Sequence, residues 1–246
     1  MSQLSLPPQS SRRQVLRAGL FAAAGALAAA ELLDTKVAGA STRRAEATRV
    51  SVVGDSLTEG TMPYQAETLS YLGWGSAAID AYKSRGIATK MKGDPHTGLS
   101  AVDSIRSTSG DSDLWVVALG TNDAGFYPQD KQVTLIREMV DQIGAEHYVL
   151  WVNVYLPGTL KRQRMWNDSL TMVAAERPNQ MFILDWATLA EENPKWLAGD
   201  KIHCSGAGYK NRASVIAQAT KTLVPSTSPV RSLPWARRQF VKSTHA

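Results

Sequence analysis

The chain has 246 residues, 43% hydrophobic and 20% charged, with a formal net charge of +5. That is a globular composition with enough length for one sizeable core, and seven Trp with seven Tyr exclude disorder throughout. The basic excess is mild and is not gathered with aromatics into a groove, which argues against nucleic acid as a partner, while the single Cys204 excludes an intrachain disulfide and a multi-cysteine zinc site.

Residues 1–40 read as an export signal. Arg12 and Arg13 precede an uncharged apolar run, "AGLFAAAGALAAA" at 18–30, and "VAGA" at 37–40 supplies small residues at a cleavage site. The run is shorter than the roughly 20 residues a spanning helix needs, so no stable membrane span is expected in the mature chain. The paired arginines followed by Val15 and Leu16 resemble a twin-arginine signal, which predicts a secreted or cell-envelope protein exported already folded.

Within 41–224, five apolar, β-rich runs follow in order: 49–54, 87–92, 114–120, 148–154 and 181–186. Helical spacing fills the gaps at 99–107, 131–144, 160–178 and 207–224; the second of these puts Val133, Ile136, Met139, Val140 and Ile143 on one face and stops at Gly144. Strands alternating with helices predict an α/β fold with a parallel sheet covered on both faces. Residues 225–246 hold three prolines and four Lys or Arg and no acid, and read as an extended tail.

In open α/β sheets ligands sit outside the carboxyl ends of the strands. Gly54-Asp55-Ser56 follows the first run there, Gly120-Thr121-Asn122-Asp123 follows the third, and Gly98 closes the loop after the second. Ser56 is a candidate nucleophile that needs a positioned base. Of four histidines, His245 lies in the tail, His147 at the wrong end of the sheet, and His96 in the loop after the second strand. His203 follows the fifth strand, and Asp200 three residues before it can reach the imidazole Nδ1–H and fix its tautomer. Acyl transfer also needs donors aimed at an oxyanion; the candidates are the Ser56 N–H, the Gly98 N–H and the Asn122 side-chain amide. The same residues have plainer readings. Asp55 caps its loop, Gly98 starts a helix, Cys204 is a packed thiol, and Trp151, Trp166, Trp186 and Trp196 are layer packing.

Taken together, "GDSLT" (54–58), "GLSA" (98–101), "GTND" (120–123) and "DKIH" (200–203) resemble the four blocks of the SGNH hydrolases, the GDSL-type esterases and lipases. The second block departs at Ala101, where a second glycine is common, and Cys204 stands where proline often follows the histidine. The resemblance spans about 49–222. It implies a three-layer α/β/α sandwich with a five-stranded parallel sheet of flavodoxin-like order. It further implies a Ser56, His203, Asp200 triad, an oxyanion hole from Ser56, Gly98 and Asn122, and no cofactor or metal.

The function expected is an exported serine ester hydrolase working through an acyl-enzyme, on short-chain acyl (acetyl) esters of envelope or external carbohydrate or lipid, its partner being a small-molecule or glycan ester substrate. An acyltransferase using the same site and a non-catalytic envelope-binding protein are the alternatives. A metal-dependent phosphoesterase would need clustered His and Asp ligands, and an α/β-hydrolase would carry its serine in Gly-x-Ser-x-Gly; residues 54–58 read Gly-Asp-Ser-Leu-Thr.

Overall fold

A computed structural model describes residues 49–223; the stretches 1–40, read as an export signal, and 225–246, read as a tail, lie outside the described residues. Five strands form one parallel sheet: β1 (Arg49–Gly54), β2 (Ser76–Ala81), β3 (Leu114–Ala118), β4 (Tyr148–Val152) and β5 (Met181–Leu184), in the order β2-β1-β3-β4-β5. All four pairings are parallel, with Val52 opposite Ile79 on one side and Val116 on the other. The order and the covered sheet are those implied by the resemblance.

Six helices cover the sheet: α1 (Ser56–Tyr71), α2 (Gly98–Ser109), α3 (Gln129–Ile143), α4 (Leu160–Glu176), α5 (Trp186–Glu192) and α6 (Gly206–Leu223). One core joins α2, α3 and α4 to the sheet through Val102, Ile136, Met139, Trp166 and Leu170. The other joins α1, α5 and α6 through Leu57, Leu69, Trp186, Ile216 and Ala217. Strand β3 is buried at all five positions because it has a helical layer on each side. Trp151, Trp166 and Trp186 are buried in these layers, and Trp196 stacks on Trp186 at 6.2 Å.

Two expectations need correction. The second strand is not 87–92 but β2 at Ser76–Ala81, and 87–92 belongs to the loop that follows it. Within 87–92 only Ile87 is buried, while Lys90, Met91 and Lys92 are exposed. Strand β2 pairs only with β1 and stands at the sheet edge, so alanines at half-buried positions suffice and no apolar run marks it. Helix α1 was likewise not expected. Its inward face carries Thr58, Thr61, Gln65 and Thr68 beside Leu57 and Leu69, so the apolar periodicity is broken although every one of these residues is buried. The Thr61 hydroxyl bonds within the helix, to the Thr58 carbonyl at 2.8 Å and to Gln65 Oε1 at 2.7 Å, while Thr58 Oγ1 and Gln65 Nε2 are buried without a partner.

Candidate active site

The site starts where β1 becomes α1. Strand and helix approach so closely there that a Cβ on Gly54 would fall 2.0 Å from Thr58 Oγ1, which leaves glycine as the residue that fits. Asp55 is the N-cap of α1 and accepts the Leu57 N–H at 3.0 Å. Ser56 is therefore the first helical residue. Its own N–H has no acceptor within the helix and sits at the positive end of the helix dipole.

The imidazole that faces Ser56 comes from the loop ahead of α6. That loop is tied by an antiparallel bridge between Leu197 and Cys204, with the Ala198 N–H on the His203 carbonyl and the Ser205 N–H on the Trp196 carbonyl, both at 2.8 Å. Asp200 closes the turn from inside: Oδ1 accepts the N–H groups of Ile202 at 3.0 Å and His203 at 2.9 Å, and Oδ2 lies 2.6 Å from His203 Nδ1. The other ring nitrogen, Nε2, lies 3.0 Å from Ser56 Oγ. The hydrogen bond to His203 leads the causes that hold the Asp200 carboxyl down at about 2, helped by the Ile202 N–H, so it stays ionised across the neutral range.

Asn122 arrives on the loop after β3. Its Nδ2 donates to the Arg85 carbonyl at 3.0 Å and to Asp55 Oδ2 at 3.3 Å. The structure thus brings together Ser56, His203 and Asp200, with Asn122 tethered to the cap of the Ser56 helix. It does not bring in Gly98 as a donor. The Gly98 N–H is bonded to the Gly86 carbonyl at 3.0 Å, and Thr97 caps α2 directly before it, so the helix-start reading of Gly98 is the one that the geometry fits. The segment that reaches the rim is 85–87, held by Asn122 at the Arg85 carbonyl and by Asp123, which accepts the Ile87 N–H at 3.1 Å. Gly86 in that segment likewise has its N–H engaged, by the Thr89 carbonyl at 2.9 Å.

That loop is clamped by a buried network that sequence reasoning missed. Arg85 is buried and grips Asp94 through Nε at 2.9 Å and Nη2 at 2.8 Å, and its Nη1 meets Asp80 Oδ1 at 2.8 Å. His96 Nδ1 pairs with the other Asp80 oxygen at 2.9 Å, which accounts for that histidine as part of the clamp. Behind Ser56, burial pushes the Cys204 thiol up, which disfavours the thiolate a nucleophile needs. Among the described residues no group of three or more His, Cys, Asp or Glu is gathered to hold a metal.

Two buried carboxylates face each other beneath the site. Burial is the largest cause raising both Asp55 and Asp123, and Asp55 adds to the rise of Asp123, which reaches about 7. The sign follows by linkage. Folding raises the affinity of Asp123 for a proton, so its contribution is fully present below the unfolded value near 4 and is lost as pH rises through 7. The loss is on the order of 4 kcal/mol at most. The melting temperature should fall between about pH 4 and pH 8, and Asp123→Asn, which keeps an acceptor for Ile87, should remove most of that fall. An unchanged slope in the variant would show that Asp123 does not carry the proton.

Solved structures bear the same fold. The catalytic domain of the Streptococcus pneumoniae peptidoglycan O-acetyltransferase A superposes with a TM-score of 0.57 at 21% identity, over 76% of this chain and 99% of that one. A lipase/acylhydrolase from Enterococcus faecalis gives 0.58 at 16% identity, over 74% and 99%. Est24, described as a carbohydrate acetylesterase from Sinorhizobium meliloti, gives 0.57 at 17% identity, over 72% and 99%. No curated protein matches the chain closely in sequence. The model of the GDSL-like Lipase/Acylhydrolase family matches residues 52–210, a stretch that opens two residues before Gly54 and runs past His203 into α6. With the parallel sheet and the serine at the end of its first strand already in view, that match makes the chain a member of the GDSL-like lipase and acylhydrolase family, within the SGNH hydrolases.

Proposed function

We propose that the chain is an exported serine ester hydrolase that removes short acyl groups, acetyl first among them, from carbohydrate. The observation that carries this reading is the line from Asp200 through His203 to Ser56, with contacts of 2.6 Å and 3.0 Å. In the reaction, Ser56 Oγ attacks the ester carbonyl carbon while His203 Nε2 takes the hydroxyl proton. The negative charge on the carbonyl oxygen is met by the Ser56 N–H and by the Asn122 amide, whose longer bond to Asp55 is the one exchanged. The alkoxide leaves with the proton from His203. Water, giving its proton to His203, then attacks the acyl-enzyme, and the acid departs from Ser56.

The substrate class rests on the relatives, two of which are described as an acetylesterase of carbohydrate and an O-acetyltransferase of peptidoglycan. The location rests on the arginine-bearing segment at 1–40. A measurement of kcat/KM on p-nitrophenyl acetate, butyrate and octanoate tests the acyl part. It should fall from acetate to octanoate by roughly tenfold or more, the scale expected when added methylenes find no pocket. A rise towards octanoate would replace the reading with a lipase. The same assay with a chitooligosaccharide present tests the acceptor: free acetate is expected, and an acetylated sugar as the main product would make the chain a transferase.

A further inference from the structure

The loop after β3 ends in a side chain that the fold does not use. Phe126 is 80% exposed, the most exposed large apolar residue among those described. Beside it stands the start of α4: the preceding Gly125 lies so close to Arg162 that a Cβ there would fall 2.9 Å from Nη1. That turn of helix exposes Leu160, 49% accessible, together with Lys161, Arg162 and Arg164.

These cations differ from three arginines elsewhere. Arg106, Arg137 and Arg177 each hold a carboxylate, of Asp111, Glu176 and Asp141. Lys161, Arg162 and Arg164 enter no ion pair among the described residues, although Asp168 follows on the same helix. Lys83, Lys90 and Lys92, exposed on the loop after β2, are likewise without a carboxylate partner there. Both groups follow carboxyl ends of strands, the edge at which Ser56 stands.

We propose that this edge docks on an anionic lipid surface, with Phe126 and Leu160 entering the headgroup layer and Lys161, Arg162 and Arg164 meeting the acidic headgroups. An exposed phenyl ring and an aliphatic side chain flanked by uncompensated cations match such an interface on both counts. A soluble polyanion would engage the cations and leave Leu160 in water. No helix among the described residues is long and apolar enough to cross a membrane, so this attachment is peripheral. The catalytic serine would then open towards the bilayer, whichever ester it cleaves.

Co-sedimentation of the full chain with phosphatidylcholine vesicles, plain or with about 30% phosphatidylglycerol, tests this. Binding is expected only with the anionic lipid, and should weaken between about 50 and 500 mM salt. The variant Phe126→Ser/Lys161→Glu/Arg162→Glu should bind at least about tenfold more weakly, since each surface cation alone is worth roughly fivefold. Its turnover of p-nitrophenyl acetate, measured without lipid, reports whether the fold and triad are intact. The 18–30 segment is common to both proteins, so equal binding by wild type and variant overturns the proposal. So does binding to soluble polygalacturonate that the variant loses, when vesicles are not bound, which would assign the edge to an anionic glycan. Should the triple variant fold poorly, Lys161→Glu/Arg162→Glu gives the same comparison.

Discussion

Replacing Ser56 by alanine should bring p-nitrophenyl acetate hydrolysis down by a factor on the order of 10⁴ to 10⁶, close to the background rate. The size follows from what is left. The hydroxyl is the group within 3.0 Å of His203 Nε2, and the neighbouring thiol of Cys204 is buried with its pKa raised, so no second nucleophile stands ready. His203→Ala should cost a similar factor, because the serine is not deprotonated without it. The informative case is the double variant. Residues acting as one unit are strongly non-additive, so Ser56→Ala/His203→Ala should be no slower than either single change. Full turnover by Ser56→Ala would dismiss the mechanism. Multiplying single effects in the double variant would mean that the two residues act independently.

Asp200→Asn should lower kcat by roughly 10² to 10⁴ while leaving KM within a few fold. The amide oxygen can still accept the N–H groups of Ile202 and His203, so the turn survives. What changes is the partner of Nδ1. The carboxylate 2.6 Å away accepts its proton and keeps Nε2 free to act as base; an amide NH₂ in that place favours the opposite tautomer. The exposure of Asp200, about half of its side chain, allows water to take over in part, which places the expected loss below that of the serine. Asp200→Ala separates geometry from chemistry. It strips the acceptor from two backbone N–H groups, so it should lower the melting temperature as well as kcat. If Asp200→Asn raised KM and spared kcat, the carboxylate would be a substrate contact and not the partner of the base.

What could be read from the residues divides along burial. Strands β1, β3, β4 and β5 announce themselves because each is covered on both faces or carries an unbroken apolar run such as Leu114–Ala118. Strand β2 does not, because an edge strand of "SAAIDA" needs only half-burial. Helix α1 is hidden by the threonines and glutamine on its inner face, buried polar residues that break the apolar periodicity. The contacts that join Ser56, His203 and Asp200 were legible because these residues sit in short motifs at fixed offsets from strand ends, and Asp200 reaches His203 within one turn. The reading of Gly98 depends on the position of the second strand: set at 87–92, it puts the loop ending at Gly98 at the rim, whereas the segment held by Asn122 and Asp123 lies at 85–87. The Arg85 clamp on Asp94 and Asp80 depends on how a long loop folds back, and spacing alone does not reveal it.

The Ser56 hydroxyl and the His203 imidazole that meets it are 147 residues apart along the chain. During synthesis the first half of the machinery is finished early and stays inert, since its partner arrives only with the turn that leads into α6. A molecule clipped ahead of that turn would keep all five strands yet, in the proposed mechanism, hydrolyse nothing. In that mechanism catalytic competence is a late event, and its onset reports that the turn ahead of the last helix is in place.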